Sequence, residues 1–249
     1  MDETPASVTE DHVLGGKVTL RQPAKGYRAG LDAALLAAAC DAKPGQAVID
    51  VGCGVGAVML AAAARRPDVR FVGLERETAT LVLAQANIVA NGLQERVEAK
   101  LGDVAAPGPG GATRFDAALS NPPFFDDRAA LRGPHPAKEA AFIVEAGLGV
   151  WIDFMLRAVR DGGTITVIHR ADRLADLLSG LSAKAGSFQI RPVQPHADEP
   201  AGRVLVRAVR GGRAPLQLLP ALVLHERGGA KHAAATEAIL RGEADLPWL

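Results

Sequence analysis

The sequence predicts an α/β protein: a mostly parallel sheet of seven strands with helices on both faces and one antiparallel edge strand. Three observations carry this. Short β-like runs alternate with helical stretches from residue 47 onward, a glycine-dense turn joins the first run to its helix, and the last two runs follow each other with no helix between them. Alternation gives parallel neighbours, while two runs joined by a loop alone pair in opposite directions.

The elements justify themselves in order. Residues 47–51 are a short apolar run ending in Asp50 and a glycine cluster, and the Ala-rich stretch 55–66 is helical. A second β-like run, 70–74, ends at Glu75; the helix 78–91 that follows is stopped by Asn91-Gly92. The third run, 96–101, is closed by Gly102-Asp103, and prolines and glycines keep 106–112 irregular. The fourth, 115–120, runs into Asn121-Pro122-Pro123-Phe124, where two prolines end strand pairing. Helical 138–160, a fifth run at 163–169 and helical 173–185 precede the antiparallel pair 187–193 and 203–209. Ligands of such sheets sit at the carboxyl ends of the strands, so Asp50, Glu75, Asp103 and Asn121 should share one rim.

Length fits one domain over 1–249: an amino-terminal cap block (1–45), a core (46–210) and a carboxyl-terminal extension (211–249). Cys40 and Cys53, without CxxC or Cys/His spacing, support neither a disulfide framework nor a metal site. The apolar runs 33–40 and 57–64 fall short of a membrane span, and the acidic start does not read as a leader, so a cytoplasmic, membrane-free protein is expected. Basic and acidic residues balance at 28 each, so net charge does not point to nucleic acid. Between 201 and 232, however, Arg203, Arg207, Arg210, Arg213, Arg227 and Lys231 stand against Glu226 alone. Such a run is either a solvated face or a nucleic-acid contact.

The stretch Asp50-Val51-Gly52-Cys53-Gly54-Val55-Gly56 follows a strand and opens a helix, where glycines let a ligand approach the backbone. A nucleotide-like cofactor belongs there. Read through Ala57 as GxGxxA, with Glu75 placed to bind ribose hydroxyls, the motif also suits a nicotinamide dinucleotide, though no Tyr/Lys pair for hydride transfer is visible. The wording DVGCGVG, the helix ahead of the first strand and the NPPF after the fourth resemble class I S-adenosylmethionine (SAM) dependent methyltransferases, whose sheet is Rossmann-like. That resemblance implies Gly52, Gly54 and Gly56 against the methionine portion of SAM, Asp50 supporting its ammonium group, Glu75 on the ribose, and Asp103 with Val104 at the adenine.

The NPPF segment resembles the NPP[YFW] signature of enzymes that methylate adenine N6, guanine N2 or the glutamine side-chain amide. In-line transfer needs the acceptor nitrogen aligned with the methyl carbon. An exocyclic amine has its lone pair delocalised into the ring, and acceptors that grip its N–H groups favour the pyramidal form. Asn121 offers a side-chain carbonyl, Pro122 only a backbone carbonyl, and Phe124 a stacking face, so Asn121, Pro122 and Phe124 are the candidate catalytic residues and no general base is needed. Phe125, where ribosomal guanine enzymes often carry His, disfavours that branch; protein glutamine remains an alternative acceptor.

Residues 11–39, with Gln22-Pro23, Gly26-Tyr27-Arg28 and Asp32, resemble the amino-terminal block of bacterial tRNA(Val) adenine-N6 methyltransferases. The resemblance continues through NPPF, the helix with Trp151, residues 164–169 and 201–206, about nine tenths of the chain. It implies an adenine next to the anticodon as acceptor, and Tyr27, Arg28 and Asp32 closing over cofactor or base unless they only form a structural cap. A tRNA partner needs phosphate contacts, for which Arg128, Arg132, His135, Lys138 and the basic carboxyl-terminal segment are the candidates.

Overall fold

The computed structural model describes residues 8–25, 28–106, 114–123, 138–229 and 231–248, with the side chains of 138–146 left aside. Alternation decides the layering. Val48, Phe71, Ala117, Leu119 and Ile168 point to one face of the sheet and Ile49, Val51, Ala118, Ile165 and Val167 to the other, the period-two pattern of strands buried on both sides.

Among the described residues, eighteen elements are formed. An antiparallel hairpin of β1 (Val8–Val13) and β2 (Val18–Pro23) precedes α1 (Leu31–Ala38). Then follow β3 (Ala47–Val51), α2 (Ala57–Arg65), β4 (Arg70–Glu75), α3 (Thr78–Ala90), β5 (Val97–Leu101) and β6 (Phe115–Ser120). The helix α4 (Lys138–Ala158), interrupted at Gly147, leads into β7 (Val159–Arg170), a single 3-10 turn (Ala171–Arg173) and α5 (Leu174–Leu181). The chain ends with β8 (Ala185–Gln194), β9 (Arg203–Arg210), the short β10 (Gln217–Leu218) and β11 (Leu222–Val223), and α6 (Ala234–Leu240).

The main sheet runs β10-β8-β9-β7-β6-β3-β4-β5, with β11 also on β8. All seven expected strands are present, and two-residue β10 and β11 raise the count to nine. The reversed strand is β9, antiparallel to both β7 and β8. Helices α1, α2 and α3 cover one face and α4 and α5 the other. Alanines let α1 and α2 approach closely: Ala33, Ala37, Ala57 and Ala61 are all buried.

Two regions carry structure that the sequence reading did not anticipate. Leu14-Gly15-Gly16, all at positive φ, turns the hairpin. The edge of β2 away from β1 joins no further strand; instead Asn87 of α3 and Asn91, its C-cap one turn on, pair with it as a strand would. Their Oδ1 atoms accept from Arg21 N (2.8 Å) and Thr19 N (2.9 Å), and their Nδ2 atoms donate to Arg21 O (2.9 Å) and Thr19 O (2.7 Å). The carboxyl-terminal tail is pinned to α1 and α2: Trp248 Nε1 donates to Ala39 O (2.7 Å) and Arg65 Nη1 to Ala244 O (2.7 Å).

Candidate functional site

Register brings the chemistry-bearing strand ends together. Val51 is level with Ser120 on one side and with Leu74 on the other, and Glu75 is level with Leu101. The residues that follow, Gly52, Asn121, Glu75 and Gly102-Asp103, therefore leave the sheet along one rim. Hydrogen bonds lock the turns to each other: Gly52 N and Cys53 N both donate to Leu74 O at 2.9 Å, and Gly102 N to Glu75 O at 2.9 Å. Buried Ser120 joins the two halves by donating its Oγ to Val51 O at 2.8 Å. The sequence reading passed over this serine, whose only signal was its place directly before Asn121.

The three glycines of the turn do different work. Gly52 (φ +73) lies under Trp151 of α4; a Cβ there would stand 2.2 Å from the indole Cη2. Gly54 (φ +56) has no heavy atom within 4 Å of where a Cβ would stand, so its α-carbon faces open space. Gly56 (φ +90) starts α2, with a Cβ position 2.8 Å from the Met59 methyl. All three conformations are in the region that favours glycine.

The acidic residues are already engaged. Asp50, 1 % exposed, accepts from Met59 N (3.1 Å) and thereby caps α2, whose own N-cap is a glycine. Burial pushes its carboxyl up to about 7, against the pull of that hydrogen bond and with help from the Glu75 charge. Asp50 thus holds the turn from beneath. Half-buried Glu75 accepts from Gly54 N (2.9 Å) through Oε2 and from Arg76 N and Glu77 N (both 2.8 Å) through Oε1. Asp103 accepts from Ala105 N (2.8 Å), and Val104 is buried in the apolar cluster on the α4 and α5 face of the sheet. Burial pushes the Cys53 thiol upward, which disfavours its thiolate form.

At the acceptor end Asn121 is half-buried and Pro122 buried. Phe124 lies outside the described residues, as do Tyr27, Arg128, Arg132 and His135, and the side chain of Lys138 is among those left aside. Arg28 and Asp32 separate: Arg28 Nη2 pairs with Asp11 (2.6 Å) and Nη1 donates to Thr9 Oγ1 (2.7 Å), tying the hairpin to the segment before α1, while Asp32 pairs with Arg203 Nε (2.9 Å).

The basic carboxyl-terminal segment is largely neutralised in space. Arg203 pairs with Asp32, Arg207 with Asp41 (2.8 Å), Arg210 with Asp161 (2.9 Å) and Arg227 with Asp198 and Glu199. β9 also spreads its arginines along the sheet, with Arg203 opposite Arg170 at the rim and Arg210 opposite Ala185 at the far end.

A cavity of about 750 Å³ opens between the hairpin, α1, α2 and α6, touching Ala57 but none of the glycines 52, 54 and 56. The turn and Asn121 outweigh its size as the candidate centre, because they carry the groups a reaction needs. Among the described residues no cluster of His, Cys, Asp or Glu could hold a metal ion, and no helix is long and apolar enough to cross a membrane.

Comparison with known proteins decides what the rim belongs to. Residues 28–135 match the family model described as methyltransferase small domain. Over those residues the chain is similar to that family. The match takes in the glycine turn, Glu75, Asp103 and the NPPF segment. Outside it, the fold is supported by protein Atu636 of Agrobacterium tumefaciens, a predicted O-methyltransferase, which superposes with a TM-score of 0.74 at 24% identity over 87% of this chain and 99% of that one. The fold is that of class I methyltransferases. A curated tRNA1(Val) (adenine(37)-N6)-methyltransferase of Actinobacillus succinogenes is 28% identical over 59% of this chain and 62% of its own length. A release factor glutamine methyltransferase of Gloeobacter violaceus is 39% identical, but over 34% of this chain and 29% of its own length. The chain thus spans less than two thirds of the length of these curated relatives.

Proposed function

We propose that this protein uses S-adenosylmethionine to methylate an exocyclic amino nitrogen, and that the nitrogen is N6 of an adenine in tRNA next to the anticodon. One observation carries the reading: the glycine turn and Asn121-Pro122 leave adjacent parallel strands side by side, joined by the Ser120 Oγ to Val51 O hydrogen bond.

The residues fit the cofactor. Gly54 presents an open α-carbon, and Glu75 and Asp103 supply carboxylates at the next two strand ends, where ribose and adenine contacts belong. Bound there, SAM supplies a methyl group activated by a sulfonium. Gly52, Gly54 and Gly56 shape the turn that holds its methionine portion, Asp50 supports that turn through its cap on α2, and Glu75 holds the ribose. Asn121 and Pro122 accept the N–H groups of the acceptor amine and orient its lone pair; Phe124 gives the base a face to stack on. Tyr27, Arg28 and Asp32 close the amino-terminal side, Arg28 and Asp32 by bracing it through Asp11 and Arg203.

The acceptor is inferred from the relatives: the tRNA adenine enzyme aligns over a larger share of this chain than the glutamine enzyme does. A tRNA partner and a cytoplasmic setting follow from that reading, and the two buried free thiols suit a reducing compartment. The test is incubation with labelled SAM and tRNA lacking its native modifications, followed by nucleoside analysis. Label in N6-methyladenosine is expected. Label in guanine, or only in added release factor, refutes the acceptor; no thermal stabilisation by SAM, alongside stabilisation by NADH, refutes the cofactor.

A further inference from the structure

The rim continues past Asn121. β6 and β7 are parallel, with Ser120 level with Val167, and Arg170 lies three residues beyond that rung as Pro123 lies three beyond Ser120. β9 brings Arg203 opposite Arg170, and the turn after β7 adds Arg173. Arg170, Asp172, Ala201, Gly202 and Arg203 wall a recess of about 480 Å³. Exposed Gly202 forms part of it, and no heavy atom lies within 4 Å of where its Cβ would stand.

The three guanidiniums are oriented by carboxylates. Asp172 grips Arg170 through two oxygens, Asp176 holds Arg173 at 2.6 Å and Asp32 holds Arg203 at 2.9 Å. A guanidinium keeps its charge when paired, so a carboxylate partner fixes its direction while a phosphate can share or take over that partner's place on the fork. The field is felt beneath: buried His169 is pushed down to about 4, first by burial and then by Arg173, Arg170 and Arg203.

We propose that this recess, with Arg170 and Arg203 as its walls, binds a backbone phosphate of the RNA acceptor and positions the target base at Asn121. The inference rests on the RNA reading above. It assigns the contact to one arginine from the basic segment, Arg203, and to Arg170 from a part of the chain with no basic run.

The experiment titrates unmodified tRNA against the full chain by fluorescence anisotropy at several salt concentrations, with SAM affinity measured by calorimetry in parallel. Arg170→Ala removes one wall. Gly202→Glu leaves every ion pair in place and puts a carboxylate into open space. Arg70→Ala, an exposed arginine at the amino end of β4 on the opposite rim, is the control. Both recess variants should weaken tRNA binding about tenfold at about 100 mM salt, and the slope of log K against log salt should become shallower by about one for Arg170→Ala. SAM affinity and the Arg70→Ala titration should match the unaltered protein. If the recess variants bind tRNA with unchanged affinity and slope, or if Arg70→Ala loses as much, the recess is not the contact and the RNA reading stands. If the unaltered protein binds SAM but no tRNA at any salt, the RNA reading fails and this inference with it.

Discussion

The glycine turn and the basic carboxyl-terminal segment both stand out in the sequence, and the structure treats them in opposite ways. At the turn, each glycine meets a local demand: Gly52 under an indole ring, Gly54 facing open space, Gly56 starting a helix. Along residues 201–232, four of six basic side chains are bound to carboxylates that lie outside the segment, and β9 carries its arginines from the rim to the far end of the sheet. A motif written in backbone conformation survives folding because its cause is local. Charge counted along the chain does not, because its partners arrive from elsewhere.

The sharpest way to break this comparison is Gly52→Ala. Overpacking against Trp151 and a left-handed backbone should together cost about 2–5 kcal/mol in denaturant unfolding, whereas Gly54→Ala, with only the backbone term, should cost about 1 kcal/mol. Equal losses would mean that Trp151 does not hold the turn. Next in size is Asn121→Ala, expected to lower single-turnover methylation about 100-fold with SAM affinity nearly unchanged. A variant that loses SAM binding in proportion would put Asn121 on the cofactor.

Asp50→Asn asks whether the carboxylate serves the fold. Its pKa is raised on folding, so the folded state binds the extra proton between about pH 4 and pH 7, and the stability Asp50 allows falls as pH rises through that window. Asparagine can still accept from Met59 N and carries no such cost. The variant should gain on the original protein as pH rises, by on the order of 2 kcal/mol near pH 8. A stability difference that does not change with pH would contradict this. His169 acts in the opposite sense: its lowered pKa makes stability fall as pH drops below about 6.5 toward 4, so Asp50→Asn should also uncover that slope. The smallest effects lie in the basic segment. Arg207→Ala, which strands Asp41, should cost about 1 kcal/mol and Arg213→Ala less than about 0.5 kcal/mol by thermal unfolding; the reverse order would show that the pairing of this segment is not what governs it.

Much of this was legible beforehand. The alternation of short apolar runs and Ala-rich helices placed all seven principal strands, and Asp50, Glu75, Asp103 and Asn121 lie at or just past strand ends on one rim, because a parallel sheet aligns those ends. The hairpin was missed although Leu14-Gly15-Gly16 lies between two alternating runs; its partner is a pair of asparagines on a helix, which no strand pattern announces. β7 begins at Val159, not 163, because the segment around Gly162 (φ +75) bends within the strand without ending a helix. The cap that Asp50 gives α2 is not legible in the sequence, because the need for it shows only where Gly56 begins that helix without a side-chain acceptor.

The Asn87 amide has a partner beyond the ribbon. Besides Arg21 O, its Nδ2 donates to Val55 O at 3.0 Å, inside the glycine turn. One buried amide group therefore clamps the amino-terminal ribbon and the floor of the crevice at once, and neither can loosen without straining the other. Ribbon and crevice should open as a single unit in hydrogen exchange, and a ligand that stiffens the crevice should slow exchange in a ribbon it never contacts.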